Sequence, residues 1–345
     1  MPVAHSIPLN ETFVRRPKGV YFISDLQIDK IYGQDTQLEI AQLVDIPLTP
    51  VTEEHYLGSN QSWPEVEVIF SGWGMTVMDE TFFSRFPRLK IVFYGAGSVK
   101  PHVTDAFWRR GIRITNAAAA NAIPVAEYTC AQIIQALKKG WQTALYIRKE
   151  RKFPDYAIPP GAYQTTVGLL SLGLIGRMVA KRLRHYDVKI IAYDPLVTQE
   201  EARRLQVTLV SLEEIFSLSD VVSCHTPWLP ETYRMIRGHH FASLKPQASF
   251  INTARGAIVF EEEMIEVLQE RLDIMAILDV TDPEPPAPGS LLYKLENVIL
   301  TPHIAGSMGN ECRRMGQYMV KELQRYLSGE PLLYEVKEDQ ALVMA

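Results

Sequence analysis

The stretch Thr166-Val-Gly-Leu-Leu-Ser-Leu-Gly-Leu-Ile-Gly176 decides the reading of the fold. Thr166–Leu170 is short and apolar, as a buried strand is, and a helical period takes over from Ile175 to Tyr186. The next apolar run ends Ile190-Ile-Ala-Tyr-Asp194, so Asp194 stands 18 residues after Gly176. That is close to the ~20 expected of a dinucleotide-binding strand–helix–strand unit. In such a unit Gly173 lets backbone approach a pyrophosphate, and Gly176 lets the helix pack closely on its strand. The helix start at Leu174 and Ile175 offers free N–H groups and partial positive charge to the phosphates. Asp194 can accept hydrogen bonds from both ribose hydroxyls, and its charge repels a 2′-phosphate. With no Lys or Arg at Pro195, Leu196 or Val197, NAD is expected rather than NADP. One position departs from the pattern. Ser171 occupies the site of the first glycine, which serine can fill if its φ is negative. On this motif alone a methyltransferase-type nucleotide domain, whose second strand also ends in an acid, stays open.

Outward from this stretch, short apolar runs alternate with helical patterns. Val20–Ile23, Val66–Phe70, Lys90–Tyr94 and Ile112–Thr115 form a first series of strands, with helices over Asp79–Arg85 and Val103–Arg110. A second series comprises Thr166–Leu170, Lys189–Tyr193, Thr208–Val210, Asp220–Ser223, Ser249–Asn252, Met275–Asp279 and Val298–Leu300, with a further helix over Glu261–Arg271. Alternation of this kind predicts an α/β chain with parallel sheets covered on both faces. Long helices over Asn121–Glu150, with Pro124 in its first turn, and over Ser307–Leu327 frame the second series. The expected layout is two Rossmann-like domains: residues 122–308 inserted into a discontinuous domain of residues 1–121 and 309–345.

Composition agrees with a globular chain. Of 345 residues, 47% are apolar and 22% charged, and the net charge is −5. The acidic balance speaks against nucleic acid and anionic membranes as partners. The opening MPVAHSIPLNETFVRR has no apolar core for a signal peptide, and no run is long enough to span a bilayer. Three well-separated cysteines (Cys130, Cys224, Cys312) suggest reduced thiols and a cytoplasmic location. No His/Cys/Asp/Glu spacing suits a metal.

Three segments carry candidate chemistry at or beyond strand ends, where ligands sit in open α/β sheets. They are Ser249-Phe-Ile-Asn-Thr-Ala-Arg-Gly256, Leu278-Asp-Val-Thr-Asp-Pro-Glu-Pro285 and Leu300-Thr-Pro-His-Ile-Ala-Gly-Ser307. Reducing a 2-keto acid takes a hydride donor, a proton donor and an anchor for the carboxylate. Histidine is the side chain whose charge changes between about pH 5 and 8, so His303 suits the proton. Glu284 beside it would favour the imidazolium, and the planar Arg255 suits a forked grip on a carboxylate. Taken singly, His303 reads as a buried structural histidine, Arg255 as a surface ion-pair residue and Glu284 as a solvated loop residue. Only their order behind the fingerprint favours catalysis. His225, His239 and His240 read as structural, and Cys224 as a packed thiol.

Together these motifs resemble the D-isomer-specific 2-hydroxyacid dehydrogenase family over about residues 65–330. The family's Arg, Glu and His fall on Arg255, Glu284 and His303. The resemblance further implies cofactor contacts from Thr226 and Pro227 in Cys224-His-Thr-Pro227, from Thr253 and Ala254, and from Asp279, which would bind the nicotinamide amide. It implies a substrate held between the domains by Gly97 and Ser98 of Tyr94-Gly-Ala-Gly-Ser98, and a homodimer paired through the cofactor domains by the long helix near Pro124. Trp73 in Ser71-Gly-Trp-Gly-Met75 would wall the substrate side chain. Members often carry Arg near the position of Tyr94 and Asp near that of Val99, and this chain has neither. The small apolar run Asn116-Ala-Ala-Ala-Ala-Asn121 reads as a hinge or close-packed crossing. Rival readings are a non-catalytic NAD(H)-sensing binding protein of the same fold and a formate- or phosphite-type dehydrogenase; Glu284, where formate-type relatives carry Gln, favours a 2-keto acid.

Overall fold

The computed structural model describes residues 15–154 and 161–342. Two compact units emerge. Of the described residues, one holds those up to Gly95, His102–Thr115 and Gly316–Glu335, and the other holds Ala96–Pro101, those between Asn116 and Met315, and Val336–Leu342. Among the described residues, no helix is long and apolar enough to cross a membrane.

The smaller unit is built on a sheet of β1 (Gly19–Phe22), β2 (Val68–Ser71), β3 (Ile91–Tyr94) and β4 (Arg113–Asn116), in that order. The strands β1 to β3 run parallel and are buried along their whole length. Their runs are therefore apolar without alternation, which is why they are legible in the sequence. Tyr21, Phe22, Phe70, Phe82, Phe86 and Phe93 are fully buried and form an aromatic core. The helices Glu80–Arg85 and Asp105–Arg109 start where Asp79 and Thr104 cap them. Three helices between β1 and β2 (Asp25–Ile31, Gly33–Leu43 and Glu53–Gly58) were not anticipated.

The larger unit has seven strands: β5 (Thr166–Leu170), β6 (Lys189–Tyr193), β7 (Thr208–Leu209), β8 (Val221–Cys224), β9 (Ser249–Asn252), β10 (Met275–Leu278) and β11 (Val298–Leu300). Their order is β11-β10-β9-β8-β5-β6-β7, parallel throughout. From β5 the chain winds outward through β6 and β7, then returns to build β8 to β11 on the other side. The reversal lies between β5 and β8, the place where open α/β sheets bind dinucleotides. Successive strand residues serve opposite faces. Val221, Ile251 and Ile277 pack on one core cluster, while Val222, Phe250, Ala276 and Leu278 pack on the other.

The expected single helix over Asn121–Glu150 is instead two: α1 (Ala118–Leu137) and α2 (Gly140–Glu150). Lys139 breaks it with a left-handed φ of +53°. Nor does Pro124 lie in the first turn, because the alanine run starts the helix at Ala118 and leaves Pro124 in the interior. Ala117 and Ala120 of that run are fully buried, so the run is close-packed. The helix α3 (Leu174–Leu183) packs on α1, bringing Ala126, Cys130 and Ile133 against Val179 and Ala180. The helix predicted over Ser307–Leu327 starts later, as α4 (Glu311–Leu327), after a turn at Gly309 with φ of +51°.

Candidate active site

The loop from β5 into α3 makes the nucleotide cradle. Gly173 caps the helix with no side-chain bond to the first-turn N–H groups. A Cβ added at Gly173 would meet nothing within 4 Å, which leaves open space above those donors. At Gly176 an added Cβ would lie 2.1 Å from the Ser171 carbonyl oxygen, so no larger residue fits there. Leu174 is exposed and Ile175 half-buried. At the end of β6, Asp194 accepts from Leu172 N–H through Oδ2 at 2.7 Å and from Leu196 N–H through Oδ1 at 2.9 Å. Each oxygen keeps a lone pair for a ribose hydroxyl. These features fit a dinucleotide. One expectation fails: Ser171 has φ of +71°, not negative. The turn keeps the geometry that glycine normally supplies, and serine adopts it under strain.

Past β8, Thr226 is buried and Pro227 half-buried. The Thr232 hydroxyl holds this loop by donating to the Pro227 carbonyl at 2.6 Å and accepting from Leu229 N–H at 2.9 Å. His225 is buried, with Nε2 3.1 Å from the Ser223 hydroxyl, and burial pushes its pKa down to about 4. It is neutral and structural at physiological pH. Burial pushes the Cys224 thiol up to about 11, so it is no thiolate nucleophile.

Past β9, Asn252 shapes the loop that bears Arg255. Its amide donates to the Arg255 carbonyl at 2.9 Å and its Oδ1 accepts from Ala254 N–H at 3.0 Å. Thr253, buried like Ala254, pairs with Thr129 of α1 at 2.9 Å. An added Cβ on Gly256 would lie 2.0 Å from the Thr281 carbonyl carbon, so glycine is what lets this loop approach the one after β10. That close approach puts Arg255 within the field of Glu284. Burial lowers the guanidinium from its ordinary pKa, and the Glu284 carboxylate opposes the shift. One Arg255 donor is taken, by the Ala254 carbonyl at 2.7 Å.

His303 and Glu284 meet across 19 residues. The imidazole Nδ1 lies 2.7 Å from Glu284 Oε1, and both side chains are nearly half exposed. The reading of His303 as a buried structural histidine is thereby excluded. With Nδ1–H donated to the carboxylate, Nε2 is the nitrogen free to exchange a proton with a ligand.

Asp279 is engaged differently from the expectation. It is 2% exposed. Oδ1 accepts from Thr301 Oγ1 at 2.6 Å and Ile304 N–H at 2.9 Å, and Oδ2 accepts from Ala305 N–H at 2.8 Å. Its carbonyl takes His303 N–H at 3.0 Å. These bonds pin the loop in which His303 holds a left-handed φ of +55°. The buried carboxylate is thus an anchor for the loop that bears His303, with one lone pair left over. Sequence reasoning missed this use of Asp279, and also the Tyr128 hydroxyl 3.1 Å from Thr301 Oγ1. A buried acid at a strand end is the only signal that pointed to the first.

The substrate-binding candidates follow β2 and β3. Trp73, just past β2, is half-buried. Tyr94, the last residue of β3, sets its hydroxyl 3.1 Å from His102 Nε2, and burial lowers the His102 pKa. Gly97 and Ser98 are half-exposed. Among the described residues no group of three or more His, Cys, Asp or Glu side chains could hold a metal.

Residues 130–305 match the family model for the NAD-binding domain of D-isomer specific 2-hydroxyacid dehydrogenases. The glyoxylate reductase of Korarchaeum cryptofilum is 31% identical over 258 residues, 73% of this chain and 77% of the relative. The D-3-phosphoglycerate dehydrogenase of Archaeoglobus fulgidus is 31% identical over 261 residues, 74% of this chain but 49% of the relative; the chain thus spans about half the length of that enzyme. A solved structure from Thermus thermophilus superposes with a TM-score of 0.74 at 26% identity, covering 93% of this chain and all of the other. The chain belongs to the D-isomer specific 2-hydroxyacid dehydrogenases, with an NAD-binding domain over residues 130–305.

Proposed function

We propose that this protein is an NAD-dependent oxidoreductase that interconverts 2-keto acids and D-2-hydroxy acids. The observation that carries the reading is the 2.7 Å His303–Glu284 pair beside Arg255, on loops at the carboxyl ends of the sheet that also bears the nucleotide cradle. Bound NAD(H) supplies or accepts the hydride at C2 of the substrate. In reduction, His303 Nε2 delivers a proton to the keto oxygen while Glu284 holds the ring through Nδ1. Arg255 grips the substrate carboxylate and draws electron density from the keto group. In oxidation, neutral His303 removes the hydroxyl proton. The cofactor contacts are Gly173, Leu174, Ile175, Gly176, Asp194, Thr226, Pro227, Thr253 and Ala254, with Asp279 offering one lone pair. Trp73, Gly97 and Ser98, all past strand ends, are the substrate contacts in this reading. Residues 122–308 act as the cofactor domain, and residues 1–121 with 309–345 as the substrate domain.

The test is NADH oxidation against a panel of 2-keto acids. Turnover on at least one supports the reading. Tight NADH binding with no turnover on any favours an NAD(H) sensor, and turnover only with formate or phosphite as reductant of NAD favours that chemistry. Cofactor choice gives a second expected result. Asp194→Asn keeps an acceptor for the turn but removes the charge, and should cut the NADH-over-NADPH preference by about tenfold or more, read as the ratio of dissociation constants. A wild type that prefers NADPH would contradict the charge argument.

We also propose a homodimer formed through the larger unit. The helix α2 buries no residue in the single chain, although it carries Leu145 and Ile147. Sedimentation showing only monomer at micromolar concentration would refute it. A cytoplasmic location is supported by the three buried cysteines, none of which is in a disulfide.

A further inference from the structure

Ser171 takes a backbone conformation, φ +71°, that glycine enters freely and that strains any other residue. The surroundings hold it there. Its N–H donates to the Tyr193 carbonyl at 2.8 Å, its own carbonyl lies against Gly176, and the adjoining Leu172 N–H is fixed by Asp194. Strain at such a point usually has a use. The side chain supplies one. Ser171 Oγ lies 3.0 Å from Thr226 Oγ1, across the reversal between β5 and β8. Thr226 is buried and also faces the Cys224 thiol, whereas Ser171 is half-exposed. Thr226 thus fixes the rotamer of the Ser171 hydroxyl in the turn that leads into α3, and polarises it.

We propose that Ser171 is a further cofactor-binding residue, whose hydroxyl, oriented by Thr226, hydrogen-bonds phosphate oxygens of the dinucleotide. A glycine at this place has no group with which to do so. The chain thus exchanges an easy turn for an extra polar contact at the pyrophosphate.

The experiment compares Ser171→Gly, Ser171→Ala and Thr226→Val. NADH and ADP-ribose are titrated by fluorescence or calorimetry, and thermal unfolding is followed without cofactor. Both Ser171 variants should bind NADH and ADP-ribose about tenfold to 150-fold more weakly, the range for losing one hydrogen bond to a charged group. Ser171→Gly should nevertheless unfold at a higher temperature than the wild type, because the strain is gone. Thr226→Val should reproduce part of the loss, and adding it to Ser171→Ala should weaken binding little further. Ser171→Gly binding both ligands as tightly as the wild type would overturn the proposal. So would a lower melting temperature of Ser171→Ala with unchanged affinities, which would make the hydroxyl pair a structural latch only.

Discussion

Replacing His303 with alanine should lower keto-acid reduction by roughly 10²–10⁴-fold, the range for losing a positioned general acid, while NADH binding stays near wild type. The ring is held twice over: through Nδ1 by Glu284 at 2.7 Å, and through its backbone by Asp279, whose carbonyl takes the His303 N–H. Removing the imidazole leaves that scaffold in place, since the Asp279 bonds involve the backbone and Thr301. The loss should therefore fall on the chemical step. Steady-state kinetics with a fluorescence titration of NADH separates the two. Turnover retained within a few-fold would remove His303 as the proton donor.

The second large effect is expected at Arg255. Arg255→Ala should reduce kcat/KM for the keto acid by roughly 30-fold to several thousand-fold, from the ~2–5 kcal/mol lost when one partner of a desolvated charge pair is truncated. Partial burial already lowers the guanidinium from its usual pKa, and in that setting a carboxylate interaction is stronger than in open water. Arg255→Lys should recover only part of the loss, because an ammonium offers a point charge and no fork. Equal kcat/KM in wild type and alanine variant would dismiss the anchor. A fall in NADH affinity of the same size would place Arg255 in cofactor binding instead.

Much of this was legible before any coordinates. The strands were readable because parallel strands covered on both faces need near-continuous apolar runs, and β3 and β10 each show one. The cradle was readable because a short glycine-bearing turn and an acid one strand later are local features. Arg255, Glu284 and His303 were identifiable by residue type and order, since each follows a strand whose carboxyl end had to face the ligand side.

What local sequence could not carry lay in long-range partners. Lys139 and Ser171 are in the left-handed region although neither is glycine, and for Ser171 the Tyr193 carbonyl, the α3 packing and Thr226 select that state against its intrinsic preference. Asp279 became an anchor only when the pairing of β10 with β11 brought the Thr301–Ala305 backbone to its carboxylate. The sequence by itself determined which residues are strands, where the glycine turn into α3 lies and which side chains have the chemistry to move a proton or hold an anion, because these depend on near neighbours and intrinsic chemistry. Only the tertiary structure decided that His303 pairs with Glu284, that Asp279 holds the His303 loop and that Ser171 endures a glycine's conformation, because each outcome depends on strand register and on the burial it enforces.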